Sequence, residues 1–74
     1  MATVSGVIIV AQENRFQLAL DEGGTRIFVL AHNAGIDPDQ LLSLRRAQAR
    51  VAVTFRPAAG LIADQACAIS QTKS

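Results

Sequence analysis

The sequence predicts a small all-β barrel of five short strands, with one short helix between the third and the fourth strand. Two patterns lead to this prediction: runs of alternating apolar and polar residues are separated by turn-forming residues, and one dense helix-start signal lies between the third run and the fourth. Half of the 74 residues are hydrophobic and only three are aromatic, so Val, Ile, Leu and Ala must form most of the core. A chain of this length forms one domain.

The first strand is predicted over residues 3–11, a run rich in Val and Ile that is too short for a typical isolated helix. Gly6 within this run indicates a bulge or a bend, which a barrel needs in order to close. A polar turn over residues 12–14 leads to the second strand, which is predicted over residues 15–21. Its regular alternation places three side chains in the interior: Phe16, Leu18 and Leu20.

Residues 21–24 are predicted to form a hairpin turn, in which the glycines can adopt a positive φ. The third strand follows over residues 25–31, so the first three strands form a meander. Alternation separates its side chains into two sets: Ile27, Val29 and Ala31 on one face, and Arg26, Phe28 and Leu30 on the other. The second set is expected to face outward, beside Arg15 and Gln17 of the second strand.

The helix is predicted over residues 38–47 from its start signal. Asp37 serves as the N-cap, Pro38 takes the first helical position and Gln40 completes a capping box. An apolar stripe is expected to cover one open end of the barrel: Leu41, Leu42 and Leu44.

The fourth strand is predicted over residues 50–56, and a turn over residues 57–60 leads to the closing strand over residues 61–69. The resulting organisation is one domain over residues 1–70 and a short frayed tail over residues 71–74. Five strands with one helix after the third is the element order of the OB-fold, a small Greek-key barrel that often binds oligonucleotides. The predicted architecture is therefore a five-stranded Greek-key OB-fold barrel.

Little in the sequence indicates an enzyme. There is one histidine, no cysteine pair and no phosphate-loop glycine pattern, so we expect no catalytic residue, no metal ligand and no cofactor. Cys67 is the single cysteine, which rules out an internal disulfide and suits a reducing cytoplasm. It has no basic or metal-binding neighbour in sequence, which favours an inert thiol. Neither a signal peptide nor a long apolar run is found, so we expect no contact with a membrane.

The outward face of the second and third strands is the predicted binding surface, because single-stranded nucleic acid is held by exposed rings flanked by guanidinium and amide groups. The candidate nucleic-acid-binding residues are Arg15, Gln17, Arg26, Phe28 and His32, with Arg50 and Arg56 as contacts to the sugar–phosphate backbone of the nucleic acid. For Phe28 the alternative is burial, under a loop or against a second subunit. For His32 it is a solvated or backbone-bonded position at a strand end. Arg45 and Arg46 are explained by the negative end of the helix dipole or, alternatively, by a ligand contact.

Several segments resemble families of OB-fold nucleic-acid-binding proteins. Residues 16–21, followed by a glycine turn and a strand over residues 27–32, resemble the corresponding strands of bacterial translation initiation factor one and of the related ribosomal-protein RNA-binding repeats. Residues 49–53 resemble the fourth strand of the same domains. Residues 14–18 and 27–29 are similar to the two RNA-binding strand motifs of cold-shock proteins. The resemblance implies an OB-type barrel that binds single-stranded nucleic acid, mainly RNA, across its second and third strands.

Two functions follow as hypotheses. The first is weak binding of single-stranded RNA or DNA through the outer face of the second and third strands. The net charge of +1 argues against a strong, purely electrostatic grip on nucleic acid. The second is a role as a protein-interaction module or a homo-oligomer subunit with no nucleic-acid role, which the apolar excess in so short a chain favours.

Overall fold

The computed structural model describes residues 2–56 and 63–72. Five strands and one helix follow along the chain: β1 (Ala2–Gln12), β2 (Arg15–Leu20), β3 (Thr25–Leu30), α1 (Pro38–Ala47), β4 (Arg50–Arg56) and β5 (Asp64–Gln71). The strands form a closed barrel in the order β1-β2-β3-β5-β4, in which β3 and β5 are parallel and the other neighbours antiparallel. The predicted five-stranded OB-fold barrel with one helix between β3 and β4 is confirmed.

The strand β1 pairs with β2 along one edge and with β4 along the other, so it must curve around the barrel. A β-bulge between Ile8 and Val10 makes Ile9 the extra residue, and such a bulge bends a strand. The bulge thus lies just beyond Gly6, where the sequence predicts a bulge or a bend. Gly6 has a different role: a Cβ at this position would overlap the carbonyl oxygen of Ala19 in β2.

The register of the β2–β3 hairpin determines which side chains of β3 enter the barrel. The loop between the last paired residues spans residues 20–24, and this odd length places Phe28 opposite Phe16. Directly opposite residues of an antiparallel pair share a face, so Phe28 enters the interior with Phe16. The prediction that Phe28 and Leu30 face outward is therefore wrong. Both are buried, and Ile27 is exposed on the outer wall instead.

The core is a single cluster of apolar side chains from the five strands and the helix. Its buried members are Ile8, Phe16, Leu18, Phe28, Leu30, Leu41, Val51, Val53, Phe55 and Ala66. The ring of Phe28 lies between the other two aromatic rings, with its centroid 5.4 Å from that of Phe16 and 5.2 Å from that of Phe55. The inward positions predicted for β2 and β4 are confirmed, although Leu20 is only partly buried.

The helix α1 begins and ends at the predicted residues, and its start is capped as expected. The Asp37 carboxylate accepts a hydrogen bond from the Gln40 backbone N–H at 3.0 Å, and the Gln40 side chain accepts one from the Asp37 N–H at 3.0 Å. The helix ends at Ala47 and is followed by the C-cap Gln48, whose φ of 51° is left-handed. Leu41 is fully buried in the core, whereas Leu42 of the expected apolar stripe is exposed.

The strand β5 begins at Asp64. Residues 57–62, which include the predicted turn and the predicted start of this strand, lie outside the described residues. The strand continues through Gln71, and the backbone N–H of Thr72 donates to the carbonyl oxygen of Arg50 at 2.8 Å. The first two residues of the expected frayed tail are therefore held on the barrel.

Candidate nucleic-acid interface

A row of outward-facing residues crosses the barrel wall at the end where β1 turns into β2. Each strand contributes one residue to this polar row, and each residue is the register partner of the next: Gln12, Arg15, Val29, Gln65 and Arg56. All of them are exposed except Val29, which is half-buried. The polar row therefore holds two arginines and two glutamines and contains no carboxylate.

A second row lies beside the polar row on β1, β2 and β3. In this apolar row Val10 pairs with Gln17, and Gln17 pairs with Ile27. Val10 is 42% exposed and Ile27 is 39% exposed, with the half-buried Gln17 between them. Residues two apart on a strand share a face, so both rows lie on the same outer wall. This wall combines guanidinium and amide groups with exposed aliphatic surface.

Three of the seven predicted site residues lie on this wall: Arg15, Gln17 and Arg56. His32 is exposed and lies two residues beyond the end of β3. The chain leaves the barrel there, after the Ala31 N–H donates to the carbonyl oxygen of Ala66 at 2.9 Å. His32 therefore lies beyond the parallel junction of β3 with β5 rather than within either row.

Arg26 does not join the outer wall, contrary to its predicted orientation. It pairs with the buried Leu18 near the end of the β2–β3 pairing, so its side chain leaves β3 on the inner side of the barrel. Its guanidinium carbon lies 4.5 Å from the centroid of the Phe55 ring, and its Nη2 forms an ion pair with Asp64 at 2.9 Å. The Arg26 side chain thus covers the edge of the core at Phe55. The carboxylate of Asp64 partly neutralises the guanidinium charge that would otherwise attract a phosphate.

Arg50 is also held away from the two rows. It forms an ion pair with Asp21 in the β2–β3 turn, with an Nε–Oδ2 distance of 2.8 Å. Half of the Arg50 side chain is exposed, so this pair contributes no more than about 1 kcal/mol to stability. The carboxylate of Asp21 offsets the positive charge of Arg50, so this end of β4 attracts a phosphate less strongly.

The prediction that the ring of Phe28 stacks on a base is wrong, because that ring is completely buried. Phe16, Phe28 and Phe55 are the three aromatic residues of the chain, and all of them lie in the core. The burial alternative is the one observed, and Phe28 is covered by the barrel's own core residues. Any base that lies on the outer wall must therefore rest on aliphatic groups or on a guanidinium plane.

Sequence reasoning missed Gln12, Val29 and Gln65 as members of the polar row. The polar pattern of residues 12–14 predicts a turn at Gln12, and the sequence alone does not show which residue of β5 lies beside Val29. The odd length of the β2–β3 loop could have identified Val29, because this length places Val29 opposite Arg15. A residue opposite the outward-facing Arg15 must also face outward. The parallel β3–β5 pairing carries no comparable local signal.

Within residues 2–56 and 63–72, no group of three or more His, Cys, Asp or Glu side chains is arranged to hold a metal ion. In the same residues, α1 is the single helix, and it is too short to cross a membrane. Comparison with known proteins yielded no matching family model, no matching curated protein and no matching solved structure.

Proposed function

We propose that this barrel binds single-stranded nucleic acid weakly across the outer wall that carries the polar row. The observation that supports the proposal is the placement of Arg15 and Arg56 in one row, with amide side chains and no carboxylate among its members. Guanidinium groups bind phosphates and stack on bases, and amides pair with base edges. The resemblance to RNA-binding families favours RNA, and the lone, half-buried Cys67 favours a reducing cytoplasm.

The geometry of the polar row suggests how a strand would cross the wall. Three inter-strand steps separate Arg15 from Arg56, which corresponds to about 14 Å along the surface. A chain that contacts both arginines therefore runs across the β-strands, over Val29 and Gln65. Because no aromatic ring is available, each bound base forgoes the roughly 1–3 kcal/mol of a stacked ring. Binding is thus expected to be weak, and its salt dependence should correspond to the two arginine contacts with phosphates.

A salt titration tests this proposal. For a fluorescent single-stranded pyrimidine oligonucleotide, the logarithm of the binding constant should fall linearly with the logarithm of the salt concentration. Two neutralised phosphates predict a slope of about −1.4, which is roughly −0.7 for each contact. The variant Arg15→Gln should lower the affinity and reduce the slope to about −0.7, because it removes one phosphate contact and leaves the fold intact.

The matched control is Arg50→Gln, which removes the same charge from an arginine that lies off the wall in an ion pair with Asp21. This control should leave the slope unchanged. Equal effects of the two substitutions would show general attraction to positive charge and would contradict a site on the polar row. Absence of binding at low salt would reject the nucleic-acid function as a whole.

A homo-oligomer or a protein-interaction module is the second candidate function, and the apolar row is the observation that favours it. Val10 of β1 and Ile27 of β3 are each about two-fifths exposed. A partner that covers this surface would remove aliphatic groups from water. If the partner is a second copy, light scattering should show a dimer that Ile27→Lys dissociates and that Leu42→Lys, on the exposed face of α1, leaves intact. A monomer at every concentration would contradict self-association.

A further inference from the structure

A concave surface that is separate from the outer wall lies between the middle of β1 and the last turn of α1. This bulge groove has a volume of about 570 Å³ and is lined by Val7, Ile8, Ile9, Arg45, Arg46 and Gln48. None of these residues belongs to the polar row or to the predicted nucleic-acid-binding residues. It is an open groove rather than an enclosed cavity, so a small ligand bound there keeps one side in water.

Two local irregularities create the bulge groove. The β-bulge presents Ile9 as an extra residue whose side chain is 41% exposed. The left-handed Gln48 ends α1, and its backbone N–H donates to the carbonyl oxygens of Leu44 and Arg45. The last helical turn and its two arginine side chains therefore lie beside the bulge, with an aliphatic side chain on the facing wall.

The bulge also positions one of the two guanidinium groups. The Nε–H of Arg45 donates to the carbonyl oxygen of Ile9 at 3.3 Å, which uses one of the five guanidinium donors and leaves both Nη groups available. Arg46 forms no ion pair with any residue in the part of the chain that the structure describes. The described residues that line the groove include no carboxylate. The groove thus presents two cationic groups to a ligand, and one of them is held in place.

The helix dipole explains why arginines are favourable in the last turn. This interaction leaves the Nη–H groups of Arg45 and Arg46 free to donate hydrogen bonds to a ligand. The negative end of a helix also disfavours an anion, so an anion bound here depends on the guanidinium groups themselves. Arginine is suited to this because its planar fork matches the oxygens of a phosphate. The exposed Ile9 offers a contact surface for an apolar or flat group attached to that phosphate.

We propose that the bulge groove binds a phosphate monoester that carries a flat or apolar body, the chemistry of a nucleoside monophosphate. Arg45 and Arg46 hold the phosphate, and Ile9 contacts the attached body. This site is separate from the polar row and does not depend on the function proposed above. The same chemistry is found in a free nucleotide and at the phosphorylated end of a nucleic-acid strand, and the experiment distinguishes these two sources.

The test is a titration of the full chain with adenosine monophosphate, followed in amide NMR spectra. The signals of Ile9, Val10 and Gln48 should shift, and Arg46→Gln should weaken binding about tenfold through the loss of one charge-assisted contact. Ile9→Ser should also weaken binding, because it removes the apolar contact. The control Arg50→Gln removes an equal charge from an arginine that lies outside the groove in an ion pair with Asp21, and it should leave the affinity unchanged.

Three outcomes would overturn the proposal: no shift at the groove with any phosphate probe, equal weakening by Arg46→Gln and Arg50→Gln, or inorganic phosphate binding as tightly as adenosine monophosphate. Short oligonucleotides with and without a terminal phosphate identify the source. Groove shifts that require the terminal phosphate and are absent with the mononucleotide support a strand end as the ligand. Groove shifts with the mononucleotide support a free nucleotide.

Discussion

Replacement of Phe28 by alanine should lower the free energy of unfolding by about 3–5 kcal/mol, the usual cost of deleting a fully buried aromatic side chain. The ring is completely buried and lies within 5.4 Å of the Phe16 centroid and 5.2 Å of the Phe55 centroid. Its removal leaves a cavity in the middle of this cluster of three rings. The effect is measured by urea denaturation, as a change of the transition midpoint with an unchanged slope.

The neighbouring Ile27 provides the matched control for this experiment. It precedes Phe28 in β3 but is 39% exposed on the outer wall, so Ile27→Ala should cost about 1 kcal/mol or less. If Phe28→Ala instead cost as little as Ile27→Ala and weakened oligonucleotide binding, the ring would have to be accessible to ligand. That result would contradict the register of the β2–β3 hairpin.

Replacement of Gly6 by alanine should destabilise the barrel by about 3 kcal/mol, at the upper end of the range for overpacking. The added Cβ would overlap the carbonyl oxygen of Ala19 and lie 2.9 Å from its carbonyl carbon. Both atoms belong to the backbone of β2, so no side-chain rotation can relieve the contact. The β1 and β2 strands would have to separate, and thermal unfolding should show a clearly lower Tm.

Gly35→Ala is the informative comparison, because it adds the same methyl group at a different kind of glycine. Gly35 has a φ of +78°, and no heavy atom lies within 4 Å of the position where a Cβ would be. Its replacement should cost only about 1–2 kcal/mol, from the left-handed backbone conformation. Equal costs at the two positions would show that β1 and β2 can separate easily, against the close approach at Gly6.

The elements whose signals are local could be predicted from the sequence. The helix follows from the capping pair of Asp37 and Gln40 and from Pro38, and its observed bounds are the predicted ones. The strand β4 likewise follows from the alternation of residues 50–56. These patterns involve residues only a few positions apart, so no knowledge of the barrel is needed to interpret them.

The arrangement of the candidate site depends on pairings between distant residues and could be predicted only in part. The outward orientation of Arg15 and Gln17 follows from alternation within β2. The inward orientation of Phe28 depends on the loop length of the hairpin, and alternation alone leaves either face open. The ion pair of Arg26 with Asp64 joins two strands that are far apart in sequence, so the loss of a free charge there could not be foreseen.

In the described part of the chain, the parallel contact between β3 and β5 closes the barrel through few residues, because residues 28–30 pair there with residues 64–66. This is the natural place for the cylinder to open, since it joins distant parts of the chain and has little backbone pairing to lose. The step from Val29 to Gln65 in the polar row crosses this junction. A ligand that contacts Arg15 on one side of the junction and Arg56 on the other would hold the two sides together. Ligand binding and closure of the β3–β5 junction would then be thermodynamically linked. Even a weakly bound ligand would therefore make opening of this junction less frequent.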